Sequence, residues 1–210
     1  MLHNLLAINI RLEETVKYEV NLNRKTNIGI LGGTFDPPHD GHIFISQSAL
    51  SKLNLDEVWW IVTTQNPLKE KSSIFQERFK AARNFVSDGK IKVEQIEKKY
   101  NLYTIDTILC LKRKYPNFNF VWVMGLDNLY NLHEWKDWKK IFNNIPIAIF
   151  HRPPYSFTLT RFKALTYFKK ARIENNLTKE LKNLTPPAWI FVNGLSNFQS
   201  STKIRKKMEQ

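Results

Sequence analysis

Short, almost uninterrupted apolar runs recur along the chain from residue 28 onward. Each run has the length of a β-strand and is followed by glycine, proline or polar residues: Ile28–Leu31, Val58–Val62, Ile91–Val93, Phe118–Met124, Ile145–Phe150 and Ala188–Val192. Runs of this kind are typical of strands that are buried on both faces of a parallel sheet. The pattern therefore predicts a strand at each of these positions.

Segments with helical spacing separate the apolar runs. In the first segment, four residues recur on one side of a predicted helix: Ile43, Ser46, Leu50 and Leu53. In the second, Ser73 and Gln76 have the spacing of a capping box. The predicted helices are Gly41–Leu53, Ser73 through Val86, Thr104 to the residues before Pro116, a tryptophan-rich stretch between Phe118–Met124 and Ile145–Phe150, Phe157–Arg172 and Ser201–Met208.

Strands that alternate with helices predict an α/β fold with a doubly wound parallel sheet, which binds ligands beyond the carboxyl ends of its strands. The chain has 210 residues, of which 42% are hydrophobic, so it can form one sizeable core. We therefore expect a single domain over residues 27–210. Residues 1–26 lack a clear period and are interpreted as an N-terminal extension, with helical spacing near Glu13 to Tyr18.

The charge balance narrows the class of partner. The chain has a net charge of +13 and a pI of about 9.8, which favours anionic ligands. Basic residues are spread along the whole chain and lysine outnumbers arginine, so nucleic acid is not expected as the main partner. The apolar runs are too short to span a bilayer and no signal-peptide pattern is visible, so we expect no membrane association and a cytoplasmic location.

One segment between the first predicted strand and the first predicted helix carries the densest chemistry. It reads Gly-Gly-Thr-Phe-Asp-Pro-Pro-His-Asp-Gly-His over residues 32–42. Glycines let the backbone approach a ligand, and the N-terminus of the following helix attracts phosphate. His39 and His42 lie about one turn apart, so both rings can donate to one anion, and a partly protonated ring would add charge. Two alternatives stay open: a metal site, for which no further cysteine or histidine has a supporting spacing, and ordinary helix-start residues.

This string resembles the H-x-G-H nucleotidyltransferase superfamily, and its full form is similar to the bacterial nicotinate-mononucleotide adenylyltransferase family. The resemblance extends from about Asn27 to Arg205 and implies a Rossmann-like nucleotidyltransferase fold. It also implies an enzyme that joins ATP and nicotinate mononucleotide to give nicotinate adenine dinucleotide (deamido-NAD) and pyrophosphate in NAD biosynthesis. The implied roles in this segment are ATP binding by Gly32, Gly33, Thr34 and Phe35, and catalysis by His39 and His42.

Two further segments resemble ATP-binding elements of the family. Residues 199–205 are similar to an I-S-S-T-x-I-R element, with Gln199 in place of isoleucine, and Arg205 is implied to hold phosphate oxygens in catalysis. The other implied ATP contacts are Ser200, Ser201, Thr202 and Ile204, together with Gly125 and Asp127 of a G-x-D element. Taken alone, the hydroxyl cluster is also typical of a helix N-cap.

The resemblance assigns the pyridine mononucleotide to other segments. The implied contacts are Tyr103 and Thr104 in a Y-T-x-D-T element, Trp135 in a tryptophan-rich stretch, Thr64, Asn66 and Lys69 after the second strand, and Arg152 after the fifth. An aromatic face such as that of Trp135 can stack on a cationic ring. The alternative, that Trp135 and Trp138 merely pack the helix, stays open.

The implied reaction is an in-line attack of the mononucleotide phosphate on the α-phosphorus of ATP. The attacking phosphate is already anionic near neutral pH, so the enzyme needs no general base and acts by positioning and charge neutralisation. Mg²⁺ is expected to arrive with ATP, because no carboxylate cluster indicates a metal site built from protein ligands alone. The alternatives are another adenylyl- or cytidylyltransferase of this fold and a non-catalytic nucleotide- or RNA-binding protein. Homo-oligomerisation stays open.

Overall fold

A single parallel sheet forms the centre of the molecule. The computed structural model describes residues 25–63, 74–96, 103–151 and 162–193. The strands within these ranges are Thr26–Gly33 (β1), Glu57–Val62 (β2), Ile91–Glu94 (β3), Phe118–Gly125 (β4), Ile147–Phe150 (β5) and Trp189–Val192 (β6). They pair in the order β3-β2-β1-β4-β5-β6, and every pair is parallel. The predicted doubly wound parallel sheet is confirmed.

Helices cover both faces of this sheet. The α-helices of the described ranges are Asp40–Lys52 (α1), Phe75–Phe85 (α2), Thr104–Lys114 (α3), Trp138–Asn144 (α4) and Lys163–Tyr167 (α5). Short 3₁₀ helices complete the connections at Leu126–Leu129, Leu132–Glu134, Lys169–Ala171 and Asn175–Asn183. No helix of the described ranges is long and apolar enough to cross a membrane.

Two apolar layers pack against the two faces of the sheet. Because side chains alternate along a strand, Ile28 and Ile30 of β1 join one layer and Leu31 joins the other. Helices α3, α4 and α5 complete the first layer, whereas α1 and α2 complete the second. The central strands are therefore buried on both faces, which explains their nearly continuous apolar sequence.

The strand order reverses between β1 and β4. The chain winds outward from β1 to β2 and β3, and then returns to β4 on the other side of β1. Leu31 pairs with Val123 and Gly33 pairs with Val62, so the carboxyl end of β1 lies between those of its two neighbours. Open α/β sheets bind ligands in the crevice at such a reversal. The carboxyl ends of β1, β2 and β4 therefore lie side by side at the expected site.

The predicted buried side of α1 is partly wrong. Ser46 is buried as predicted, but Ile43 and Leu50 are only half-buried, and Ile45 and Ala49 face the sheet in their place. The helix crosses the middle of the sheet and contacts β1, β2 and β4. Small residues on the contacting side let the helix lie close to those strands. The buried side of α1 is therefore shifted by about one residue from the side that carries the most apolar residues.

The predicted start of α2 is also wrong. The helix begins at Phe75, its N-cap residue is Ile74, and no side-chain hydrogen bond caps it within the described residues. Ser73 itself lies outside those residues, and a capping box that starts there does not match the observed N-cap position.

The helix predicted over Phe157–Arg172 is shorter in its described part. Lys163–Tyr167 is α-helical, and the 3₁₀ turn Lys169–Ala171 follows it. Arg172 then forms a parallel bridge with Trp189, and Ile173 N donates to Trp189 O at 2.9 Å. The chain leaves the helix because these contacts draw it towards β6.

Three predictions fall outside the described residues. They concern the helical spacing near Glu13 to Tyr18, the N-terminal half of the Phe157–Arg172 helix, and the final helix Ser201–Met208. The extension over residues 1–26 stays a prediction, and β1 already includes Thr26.

Candidate active site

The glycine pair at the end of β1 opens the motif loop, which we define as Gly32–His42. At Gly32 a Cβ atom would lie 2.6 Å from Cη2 of Trp122, so the close approach of the indole requires glycine. The Gly33 carbonyl accepts hydrogen bonds from Thr63 N at 2.9 Å and from Thr63 Oγ1 at 3.3 Å. The loop therefore leaves the sheet from a position that is held by both neighbouring strands.

Phe35 anchors the middle of the motif loop. Its backbone lies in the left-handed region, at a φ of 48°, which costs a non-glycine residue about 1–2 kcal/mol. The ring is 1% exposed and stacks on Trp60 with 4.6 Å between centroids, and it contacts the ring of His42 at 4.7 Å. Burial of the ring offsets the backbone strain and seats the loop beside α1.

His39 and His42 cap the start of α1 through each other. His39 is the N-cap residue, and its Nδ1 accepts a hydrogen bond from Gly41 N at 3.1 Å. The Nδ1 of His42 accepts a hydrogen bond from His39 N at 3.2 Å, which completes a capping box. The two rings stack with 3.8 Å between their centroids. The structure thus brings the two rings together, as their spacing predicts, while their catalytic role stays a prediction.

These caps determine which ring nitrogen carries the proton. An Nδ1 that accepts a backbone N–H bears no hydrogen, so the neutral ring is the Nε2–H tautomer. The expected contribution of a partly protonated ring stays a prediction. In the neutral ring Nε2 carries the hydrogen, and an Nε2–H group is a type of donor that suits a phosphate oxygen.

A buried hydrogen-bond chain holds the first turn of α1 against β2. Trp60 Nε1 donates to Ser46 Oγ, and Ser46 Oγ donates to the carbonyl oxygen of His42, each at 2.8 Å. Both side chains are fully buried, so the hydrogen bonds are screened from water. Sequence reasoning missed this role, although a serine among the apolar residues of α1 was an available signal.

Arg78 is a second residue at the site that sequence reasoning missed. It lies in α2, is 2% exposed, and its Nη1 donates to Thr34 O and to Thr63 O, each at 2.8 Å. Burial lowers the pKa of the Arg78 guanidinium, and the charge of Asp36 raises it. The available signal was an arginine within an apolar helical stripe, which consists of Phe75, Phe79 and Ala82.

The segment after β4 borders the same crevice. Gly125, the last residue of β4, is buried, and Asp127 in the following 3₁₀ helix is exposed. Because β4 pairs with β1, both residues lie at the same edge of the sheet as the motif loop. An exposed carboxylate there is suited to accept hydrogen bonds from a nucleoside.

Three predicted substrate residues lie near the start of α3. Tyr103 is the N-cap residue of this helix and Thr104 is its first residue, and no side-chain hydrogen bond caps the helix within the described residues. Trp135 packs half-buried on the first apolar layer. The adjacent Lys136 has its Nζ 4.5 Å from the centroid of the Tyr103 ring and 3.4 Å from Oδ2 of Asp106. The structure therefore brings the tryptophan-rich stretch and the Y-T-x-D-T element together.

The other predicted site residues lie outside the described ranges: Thr64, Asn66, Lys69, Arg152, Ser200, Ser201, Thr202, Ile204 and Arg205. Their roles stay predictions. Thr63 and His151 immediately precede two of these segments, and their backbone N–H groups pair with the carbonyls of Gly33 and Val192 at the carboxyl edge of the sheet. Among the described residues, no group of three or more histidine, cysteine, aspartate or glutamate side chains is placed to hold a metal ion.

A family comparison gives the class of protein that this fold and site define. The family model described as Cytidylyltransferase-like matches residues 30–207. That range includes the motif loop and all six strands except the first residues of β1. The chain is therefore a nucleotidyltransferase of the cytidylyltransferase-like class.

Curated relatives narrow the class to one family. The probable nicotinate-nucleotide adenylyltransferase of Ruegeria sp. (strain TM1040) is 39% identical over 182 residues, which cover 86% of this chain and 96% of that protein. The protein of the same name from Bradyrhizobium sp. (strain ORS 278) is 40% identical over 181 residues, which cover 85% and 94%. The chain belongs to the nicotinate-nucleotide adenylyltransferase family.

A solved structure agrees on the fold. The Plasmodium falciparum nicotinic acid mononucleotide adenylyltransferase complexed with NaAD has a TM-score of 0.65 and 21% sequence identity, with 86% of this chain and 83% of that chain covered. The same protein complexed with APC has a TM-score of 0.63. This likeness shows that the sheet and its helices share one architecture.

Proposed function

We propose that this chain transfers the adenylyl group of ATP to nicotinate mononucleotide and releases pyrophosphate. The product is nicotinate adenine dinucleotide, an intermediate of NAD biosynthesis. The observation that carries the proposal is the pair of stacked histidines whose Nδ1 atoms cap α1, from which we infer that Nε2 carries the ring proton. The two donors lie beside a helix N-terminus at the strand reversal, where an anionic ligand is expected.

The described residues support an in-line transfer without a general base. The phosphate of the mononucleotide is anionic near neutral pH, so it attacks the α-phosphorus without losing a proton to the enzyme. His39 and His42 donate to oxygens of the ATP phosphates as negative charge shifts towards the departing pyrophosphate. Gly32 and Gly33 admit the nucleotide to the backbone, and Arg205 is proposed to hold further phosphate oxygens.

Mg²⁺ is proposed to arrive with ATP. The described residues offer a site with histidine N–H donors and no cluster of three metal-ligating side chains, which fits an ion whose ligands are mainly phosphate oxygens and water. When bound, the ion would supply charge neutralisation at the phosphates. The chain's own residues would orient the phosphate oxygens around it.

The start of α3 supports nicotinate as the acceptor. The first backbone N–H groups of a helix have no intrahelical partner, and no side chain caps them here within the described residues. A carboxylate accepts hydrogen bonds through both of its oxygens, so it fits such a helix start. Trp135 is proposed to stack on the pyridinium ring.

Other aspects of the proposal concern partners and location. The net charge of +13 is proposed to attract small anionic nucleotides rather than nucleic acid. We further propose a cytoplasmic location, where ATP and pyridine nucleotides are available, and homo-oligomer formation, which size-exclusion chromatography with light scattering would measure.

A pyrophosphate-release assay tests the function. ATP and, separately, CTP would be combined with nicotinate mononucleotide, nicotinamide mononucleotide or phosphopantetheine, and the product identified by mass spectrometry. We expect equimolar pyrophosphate and nicotinate adenine dinucleotide from ATP and nicotinate mononucleotide, and no release above background by His42→Ala. The proposal would be overturned if pyrophosphate were released only with another combination of nucleotide and acceptor. It would also be overturned if nucleotide bound but no mixture released pyrophosphate.

A further inference from the structure

Building on the proposed function, we propose that Arg78 is a positioning residue that fixes the motif loop relative to the segment after β2. These two segments carry the residues expected to bind ATP and the mononucleotide phosphate. Arg78 would therefore set the alignment of the two reacting phosphates without touching either substrate.

The geometry places one guanidinium nitrogen between the two segments. Strands β1 and β2 pair through their last residues, and the ladder continues once more, from Thr63 N to Gly33 O. Arg78 Nη1 donates to Thr34 O and to Thr63 O at 2.8 Å each. A single planar group thus bridges the two chains where the strand pairing ends.

The surroundings hold this bridge in place. Arg78 is 2% exposed and lies in the second turn of α2, with Cζ 5.7 Å from the centroid of the Phe75 ring. Helix α2 is attached to the second apolar layer by Phe75, Phe79 and Ala82. A guanidinium group is rigid and planar, so a fixed helix gives its donors fixed directions.

Packing alone does not explain an arginine at this position. A buried cation is costly unless its hydrogen bonds are satisfied, and an apolar side chain would continue the stripe without that cost. Burial lowers the pKa of the Arg78 guanidinium, and the charge of Asp36, which belongs to the motif loop, partly opposes this shift. The positive charge therefore faces the loop that is expected to carry ATP.

The position of the bridge has a consequence for the reaction. The motif loop carries His39 and His42, and the segment after β2 carries Thr64, Asn66 and Lys69. In-line transfer requires that the attacking and accepting phosphates are aligned, and a misplacement of about 1 Å lowers turnover about a hundredfold. Loss of the bridge should therefore affect turnover more than the binding of ATP, because the histidine caps do not involve Arg78.

The test compares Arg78→Ala with Arg83→Ala, a matched control because Arg83 is exposed on the same helix. ATP affinity and stoichiometry would be measured by isothermal titration calorimetry well below the melting temperature, and turnover by pyrophosphate release. Turnover of Arg78→Ala would then be remeasured with millimolar guanidinium chloride, with sodium chloride as the ionic control. Arg78→Lys would be measured in the same binding and turnover assays, without added guanidinium. This second variant keeps the proposal testable if Arg78→Ala does not fold.

For Arg78→Ala we expect full ATP stoichiometry, a Kd within about threefold of wild type, and turnover reduced about a hundredfold and partly restored by guanidinium. Arg78→Lys should also bind ATP fully and turn over slowly, because the lysine side chain is one bond shorter and its Nζ does not reach the place of Nη1. Wild-type turnover in either variant, loss of ATP sites in proportion to turnover, or no rescue by guanidinium would overturn the proposal. A wild-type protein that releases no pyrophosphate from ATP and nicotinate mononucleotide would instead refute the proposed function. The Arg78 series would then be measured with whichever acceptor the wild type uses.

Discussion

At the scale of single residues, each histidine of the motif loop combines an observed cap with a proposed phosphate donor. Through Nδ1 the ring satisfies a backbone N–H at the start of α1, and through Nε2 it presents a donor on the other side of the ring. The cap fixes the orientation of the ring, so the donor is in place before a phosphate arrives. Asparagine is a good capping residue but is too short to replace Nε2, so it separates the two functions.

We expect His42→Asn to remain nearly as stable as the wild type, within about 1 kcal/mol, because its amide oxygen can take the position of Nδ1. Its turnover should fall about a hundredfold, the effect of removing one preorganised donor. Calorimetric unfolding measures the stability, and pyrophosphate release measures the turnover. His42→Ala should lower both the stability and the turnover. Near-normal turnover of His42→Asn would mean that Nε2 does not act on the phosphates.

The close approach at Gly32 gives a second prediction. Gly32→Ala places a methyl group 2.6 Å from Cη2 of Trp122, whereas at Gly33 the nearest atom to a Cβ, in Phe35, is 3.4 Å away. We expect Gly32→Ala to lower the free energy of unfolding by about 1–3 kcal/mol and Gly33→Ala to change it far less. The double variant Gly32→Ala/Trp122→Phe should recover part of the loss, and additive effects in chemical denaturation would contradict the predicted contact.

At the scale of elements, α1 is the support of the site, because its first turn carries both histidines and its buried side rests on the sheet. The hydrogen bonds from Trp60 to Ser46 and from Ser46 to His42 join this turn to β2. A helix end is otherwise the part that frays most easily. The chain of hydrogen bonds therefore connects the stability of α1 to the geometry of the phosphate donors.

Ser46→Ala should destabilise the protein by about 1–3 kcal/mol, because it leaves the buried Trp60 Nε1 without its acceptor. Turnover should fall as well, since the first turn of α1 loses its attachment. Ser51→Ala, on an exposed position of the same helix, should change neither quantity. The double variant Ser46→Ala/Trp60→Phe removes both partners and should cost less than the sum of the single changes. Strict additivity in thermal unfolding would contradict this coupling.

At the scale of the whole molecule, the sheet topology brings two different binding environments to one edge. The motif loop follows β1 and carries the two histidines that are proposed to donate to phosphates. The start of α3, with Lys136 and Trp135 beside it, lies on the face of the first apolar layer and suits an aromatic acid. A reaction between a nucleoside triphosphate and an acidic mononucleotide needs both environments in one cleft.

This arrangement predicts that nicotinate mononucleotide is preferred over nicotinamide mononucleotide. The amide directs an NH₂ donor at backbone N–H donors, and each unpaired buried group costs about 1–3 kcal/mol. We therefore expect kcat/KM for the acid to be higher by about tenfold or more under identical ATP and Mg²⁺. Equal values for the two mononucleotides would contradict the assignment of the α3 start to the carboxylate.

The alternation of apolar runs and helical segments, and the motif loop itself, were determined by the sequence alone. A strand buried on both faces must be apolar throughout, so the run at Val58–Val62 identified β2 with an error of one residue. The glycines and histidines of residues 32–42 are adjacent in the chain, so their joint position at the end of β1 follows from local structure. Helix boundaries were less well predicted, because the observed ends depend on contacts with other elements, as at Arg172 and Trp189.

Only the tertiary structure decided how the site is held together. Arg78 reaches carbonyls 44 and 15 residues away in the chain, and Trp60 reaches a serine 14 residues away. These hydrogen bonds depend on how α1 and α2 pack on the sheet, and no local pattern contains that information. Even the histidine tautomer, which sets the donor proposed for phosphate, follows from the backbone path around α1 rather than from the residue type.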